Sequence, residues 1–340
     1  VAPIPCLVGL LVSCALAAWA ASATAVASAE GSTLAQKASV RGPAAKPLCR
    51  AFQRSGDEHD VALSARADGT VWYADRGGNR IVRIAADGTQ TPFVPGNAAE
   101  QGLSGLAVGA DGGIWYTKDV ANRAGRIAPD GSAGREYVLP EAGSYPRGLT
   151  ADRTGRLWFH SSIRKFVAEL RPDGSVAVHR DPSWAMRGFA PHRMALGPDG
   201  RLWITDRENN AVHCFDVNTG AFTRFEIPSP AAQPEAITVG RDGNVWITLL
   251  AAQKIARITP SGTITEFALG DLDGGGPRGI VGTADGGVWV TTSTHAVVRF
   301  RPDGSRRSFP CGDGLGTAIV GPTGAPWFFD SQRIWVVSGP

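Results

Sequence analysis

From about residue 46 onward, apolar and polar positions alternate in short runs that recur in groups of four. Gly105-Leu106-Ala107-Val108-Gly109 alternates as an inner strand, Ala110-Asp111-Gly112-Gly113 has turn chemistry, and Ile114-Trp115-Tyr116-Thr117 returns as a second strand. Arg126-Ile127 belongs to a third strand. After the turn Pro129-Asp130-Gly131, Arg135-Glu136-Tyr137-Val138-Leu139 forms a fourth. The phrase repeats around Trp72, Trp115, Trp158, Trp203, Trp246, Trp289 and Trp327 at a mean step of about 42.5 residues, the period of a four-stranded propeller blade. Five copies carry Asp-Gly four and three residues before the tryptophan, while Thr154-Gly155 and Thr323-Gly324 replace it in the other two.

The predicted fold is all-β, a seven-bladed β-propeller of four-stranded antiparallel blades over residues 46–340. Its last repeat ends on a third strand, Ile334-Trp335-Val336-Val337, and a lone strand-like piece, Cys49-Arg50-Ala51-Phe52-Gln53, precedes the first repeat. The N-terminal piece is therefore expected to close the last blade, which removes two unpaired edges. The seven tryptophans are expected to pack between neighbouring sheets.

Composition narrows the partners. There are 43 glycines and 23 prolines against 19% charged residues, as many tight turns require, and the formal net charge is only +3 without a Lys/Arg run. Nucleic acid is not an expected partner. Residues 1–29 are small and apolar and end in Ala27-Ser28-Ala29, which reads as a signal peptide cleaved before Glu30, although no Lys or Arg precedes the apolar stretch. Retention as an anchor, or lipidation at Cys14, are the other readings of this leader. Residues 30–45 read as a flexible linker. A secreted or cell-envelope monomer without a stable membrane span in its mature chain is expected. Cys49 and Cys311 lie near the two ends of the ring, where a crosslink would serve closure in an oxidising compartment.

Alternating strand direction brings inner-strand entries and tryptophan-strand exits to one rim. Entries supply His59, Asp60, Arg147, His192, Arg193, Glu235 and Arg278; exits supply Asp75, Lys118, His160, Asp206 and Asp330. The densest group is His160, His192, Arg193, Asp206 and Glu235. Imidazole with carboxylate can bind a divalent ion or act as a base with its orienting partner; a network of ion pairs along a wet channel is the alternative. The aspartates of the opposite rim are explained by turn geometry. Gly274-Gly275-Gly276-Pro277-Arg278-Gly279 fits a dinucleotide pattern literally but leads into a strand, and neither G-x-S-x-G nor H-E-x-x-H occurs.

The phrases Asp111-Gly112-Gly113-Ile114-Trp115-Tyr116-Thr117, Gly125-Arg126-Ile127 and Ser144-Tyr145-Pro146-Arg147-Gly148-Leu149-Thr150 resemble the repeat of virginiamycin B (streptogramin B) lyases, and the likeness covers all seven repeats. The resemblance implies a Mg²⁺-assisted elimination that opens a depsipeptide ring without water. It also implies a Glu-x-His entry and an exit glutamate in the last blade, with a histidine at the entry of the blade before. Here those positions read Leu315, Thr317 and Arg278, and Asp330 stands one place early at the exit. The nearest local imitation is Pro191-His192-Arg193 with Asp206, where Ala190 replaces the metal carboxylate.

The roles assigned from sequence are therefore His192 and His160 as catalytic candidates and Asp206 and Glu235 as metal ligands. Arg193, Arg147, His59, Arg278 and Asp330 are candidate ligand contacts. Mg²⁺ follows from the resemblance and Ca²⁺ is the alternative. Three readings stand: a lyase acting on an ester or lactone, a binding propeller whose partner is a small molecule or a cell-envelope component, and a calcium-dependent lactonase.

Overall fold

The computed structural model describes residues 48–53, 62–184, 188–240, 242–270, 275–294, 296–311, 316, 318–321, 324–330 and 332–338. The expected leader and linker, Cys14, His59, Leu315 and Thr317 lie outside them. Among the described residues twenty-eight strands, β1 to β28 in chain order, form seven four-stranded sheets in which each strand pairs antiparallel with its neighbour. The first strand of each sheet lines the centre: β2 (Leu63–Ala65), β6 (Leu103–Val108), β10 (Arg147–Ala151), β14 (Pro191–Leu196), β18 (Pro234–Val239), β22 (Pro277–Gly282) and β26 (Ala318–Val320). Each touches the next, and β26 returns to β2, so the ring is closed.

The closing sheet runs β26, β27 (Pro326–Phe329), β28 (Arg333–Ser338) and then β1 (Leu48–Gln53), with Leu48 opposite Ser338 and Gln53 opposite Arg333. Side-chain packing confirms that β1 is a true fourth strand. In six blades the tryptophan meets a ring from the outer strand: Phe93, Tyr137, His179, Phe225, Phe267 or Phe309. In the seventh, Phe52 of β1 takes that place, 5.4 Å from Trp327 and parallel to it. A disulfide joins Cys49 of β1 to Cys311, which follows the outer strand of the sixth blade, with Cα atoms 6.2 Å apart.

Seven apolar clusters fill the gaps between successive blades. Trp203 of blade four packs with Val245 and Ile247 of blade five, Trp246 with Ile280 and Val288 of blade six, and Trp327 of blade seven with Val71 and Tyr73 of blade one. The repeated tryptophan is thus the wedge between sheets, and the core is divided among interfaces rather than gathered in one mass. At the far rim the Asp-Gly aspartates accept hydrogen bonds two residues on, as Asp111 does from Gly113 N at 3.0 Å. Among the described residues no helix is long and apolar enough to cross a membrane.

Candidate functional site

Local backbone geometry delivers the rim side chains. In blades four, five and six the inner strand carries a β-bulge at its entry, where two residues stand opposite one: His192 and Arg193 face Thr205, Glu235 and Ala236 face Thr248, and Arg278 and Gly279 face Thr291. A bulge re-aims the extra side chain and leaves a gap in the ladder. The opposing threonine fills that gap. Its hydroxyl accepts from the bulged N–H of Arg193, Ala236 or Gly279 at 3.1, 2.9 and 2.7 Å. The same hydroxyl donates to a carbonyl of the next blade, that of Glu235, Arg278 or Gly316, at 3.0, 2.9 and 2.7 Å. Each rim residue is therefore positioned by the blade before it.

Blade three breaks the series with His160 in the threonine position. Its side chain is fully buried, and Arg147 is its direct partner across the ladder. The ring lies beside the backbone of His192, the contact that threonine makes elsewhere, yet neither nitrogen forms a hydrogen bond of ordinary geometry. Burial first, then the nearby charges of His192, Arg193 and Arg147, push its pKa down to about 3. His160 is a neutral imidazole under the rim.

Glu235 is the centre of the exposed part. His192 Nε2 stands 3.4 Å from Glu235 Oε1, Arg278 Nη1 3.7 Å from the same oxygen, and Arg207 Nη1 3.3 Å from Oε2. Burial alone would raise the Glu235 pKa; the nearby His192 and the charges of Arg207 and Arg278 outweigh it and hold the carboxyl below the usual range. These are ion-pair contacts, since His192 Nε2 and Glu235 Oε2 make no hydrogen bond of regular geometry. Arg207 also donates to Gln233 Oε1 at 3.1 Å. Arg147 belongs to a neighbouring cluster in which it and Arg76 approach Asp119 at 3.4 and 3.0 Å.

The structure divides the group that the sequence suggested. Asp206 is fully buried, and its carboxylate receives Asn209 Nδ2 at 2.8 and 3.0 Å, Ala190 N at 3.2 Å and His213 Nε2 at 3.0 Å. It braces the exit turn and does not join Glu235 as a metal pair. His213, from the third strand of blade four, is its partner. Asp330 likewise accepts from Gln332 N, Arg333 N and Trp335 Nε1, which commits it to the last turn of blade seven and removes it from the ligand contacts. Arg207 and Asp119 escaped the sequence reading. Both sit just past a tryptophan-strand exit, and only the folding of that turn decides whether such a residue reaches the rim.

A divalent cation does not fit this donor set. Asp206 and Asp330 have their oxygens taken, Glu235 is surrounded by cationic groups, and among the described residues no three or more His, Cys, Asp or Glu side chains gather as ligands. Hard cations need several oxygen donors at one point.

The model of the Virginiamycin B lyase family matches residues 49–187 and 184–336. A virginiamycin B lyase of Nocardia farcinica (strain IFM 10152) is 31% identical over 124 residues, which span 36% of this chain and 43% of that protein. The chain thus aligns with under half the length of the curated relatives it matches. Among solved structures, a streptogramin B lyase superposes with a TM-score of 0.78 at 26% identity, over 86% of this chain and 98% of that one. A catalytically inactive virginiamycin B lyase from Staphylococcus aureus with quinupristin gives 0.75 at 27% identity, over 86% and 100%.

Proposed function

We propose, from the premise that this chain belongs to the virginiamycin B lyase family, that it acts on an ester or lactone of a small molecule held at the rim of blades three to six. His192 is the base. The observation that carries this reading is the His192–Glu235 pair at the mouth, with Nε2 turned to the carboxylate and the side chain about a quarter exposed. Nδ1 can then take the proton from the carbon that lies between a carbonyl group and the carbon bearing the ester oxygen, while Glu235 stabilises the imidazolium that forms. Charge developing on the carbonyl oxygen meets the Arg278 guanidinium. A carbon–carbon double bond forms, the carbon–oxygen bond to the β-carbon breaks, and the carboxylate leaves with the electron pair. No water enters and no step needs a metal.

The disulfide between Cys49 and Cys311 supports export to an oxidising compartment, as does the expected leader. Binding without turnover is the second reading. It is favoured by Asp206 and Asp330, both committed to turns.

Purified protein incubated with a streptogramin B antibiotic and with simple lactones, with and without Mg²⁺ and Ca²⁺, separates these readings by mass spectrometry. A ring opened at unchanged mass is the expected result, lost in His192→Ala. Gain of one water means hydrolysis and sinks the elimination; binding without any product favours the second reading.

A further inference from the structure

The mouth collects more positive than negative charge at one point. Two guanidiniums and one imidazole share the single carboxylate of Glu235, and the arginines stay accessible, with side-chain exposures of 37% for Arg207 and 44% for Arg278. Glu208, next to Arg207, is exposed and enters no ion pair among the described residues. The distances of 3.3 to 3.7 Å leave the guanidinium forks without a close hydrogen bond to Glu235, and Oε2 of Glu235 is buried with its hydrogen-bonding capacity unused. Beneath the cluster lies the fully buried His160, with both ring nitrogens unpaired. Buried polar atoms without partners are uncommon and call for an explanation, of which a bound molecule that completes the network is one.

We infer that Arg207 and Arg278 form an oxyanion clamp, so that the small molecule taken at this rim carries a carboxylate or phosphate group, with Glu235 acting as an internal competitor that holds the two forks apart. The inference rests on the same rim being the ligand site and adds the class of ligand. A guanidinium presents paired N–H donors that match the two oxygens of a carboxylate or phosphate, and an ion in a walled mouth is screened less than on open surface. Where the family resemblance implies a cation at the rim, this chain presents cationic side chains. An anionic ligand would pull Arg207 and Arg278 from Glu235 onto itself, and His192 would keep the Glu235 carboxylate paired meanwhile.

Isothermal titration calorimetry of the whole protein with succinate, with inorganic phosphate and with neutral succinamide tests the clamp. Succinate or phosphate should bind and succinamide should not, and binding should weaken as salt is raised. Arg278→Ala and Arg207→Ala should each weaken binding by at least about tenfold, the loss expected for a hydrogen bond to a charged group. Glu235→Gln, which keeps the side-chain shape and deletes the competitor, should tighten binding several-fold.

Preference between succinate and phosphate identifies which oxyanion the fork takes. Succinamide binding as tightly as succinate, no heat from either anion in the native and Glu235→Gln proteins, or weakening in Glu235→Gln would each overturn the inference. Should an arginine variant fail to fold, the direction of the Glu235→Gln change still decides. Turnover does not enter this measurement. A protein that binds succinate but opens no ring loses only the elimination, and one that opens a neutral lactone but ignores both anions loses only the clamp.

Discussion

Gly148 lies so close under His160 that a β-carbon built on it would stand 2.3 Å from Nε2. Its φ of +58° is in the left-handed region as well, so a side chain there meets both backbone strain and a ring. Gly148→Ala should cost about 1–2 kcal/mol for the backbone and about 1–3 kcal/mol for overpacking. In a His160→Thr background only the backbone part should remain, because the ring that would be struck is gone. A double-mutant cycle by urea unfolding measures the difference; additive effects would mean that the two residues are not in contact.

His160 also makes stability depend on pH. Its folded pKa is lowered to about 3, against about 6.5 when unfolded, so between these values the unfolded chain holds a proton that the folded chain does not. Stability from this site is fully present above pH 6.5 and falls as pH drops toward 3. His160→Thr, which restores the residue type of blades four to six, should flatten that part of the curve and change stability little at pH 8. Urea unfolding across this range checks it, and an unchanged acid limb in the variant would assign the loss to other groups.

Much of the ring was legible because each blade must present a large apolar wedge to the next, and the tryptophan that does so stands at a fixed place in every repeat. Even the placing of β1 in the last blade could be read, since the last repeat stops at its third strand and a lone strand stands ahead of the first; the stack of Phe52 on Trp327 bears it out. The site was only partly legible, for a reason of parity. His160 is the second residue after its tryptophan, whereas Asp206 and Asp330 are the third after theirs. Adjacent strand residues face opposite sides, so one count to the rim merged side chains that the sheet separates. Thr205, not Asp206, is the counterpart of His160. Arg207, Asp119 and His213 were missed as partners because their contacts depend on the exit turns and the neighbouring strand, which carry no repeated signature.

Asp206 and His192 should part company under mutation. The Asp206–His213 pair is almost completely buried, so Asp206→Ala strands an imidazole and the Asn209 amide and should cost about 3–5 kcal/mol. His192 is partly exposed and held by ion-pair contacts, so His192→Ala should lie within about 0.5 kcal/mol of the native protein while removing ring opening. Unfolding curves for both variants and the mass-spectrometric assay for His192→Ala test the contrast. A small stability loss in Asp206→Ala would show that its carboxylate is not a brace.

The disulfide should matter most for the blade that two chain ends build. Cys49 and Cys311 are 262 residues apart, and β1 is otherwise attached to its sheet only along one edge, through β28. Crosslinking so long a loop restricts the unfolded chain strongly, and native bridges contribute about 2–4 kcal/mol. Replacing both cysteines by serine should therefore lower stability by about that amount, with the loss concentrated in blade seven. Phe52 and Trp327 would still stack, so the ring should close more weakly rather than open. Hydrogen exchange separates these outcomes. Faster exchange in β1 and β28, with β14 and β18 unchanged, is expected, whereas uniform acceleration around the ring would show that the bridge acts on the whole fold and not on its closing strand.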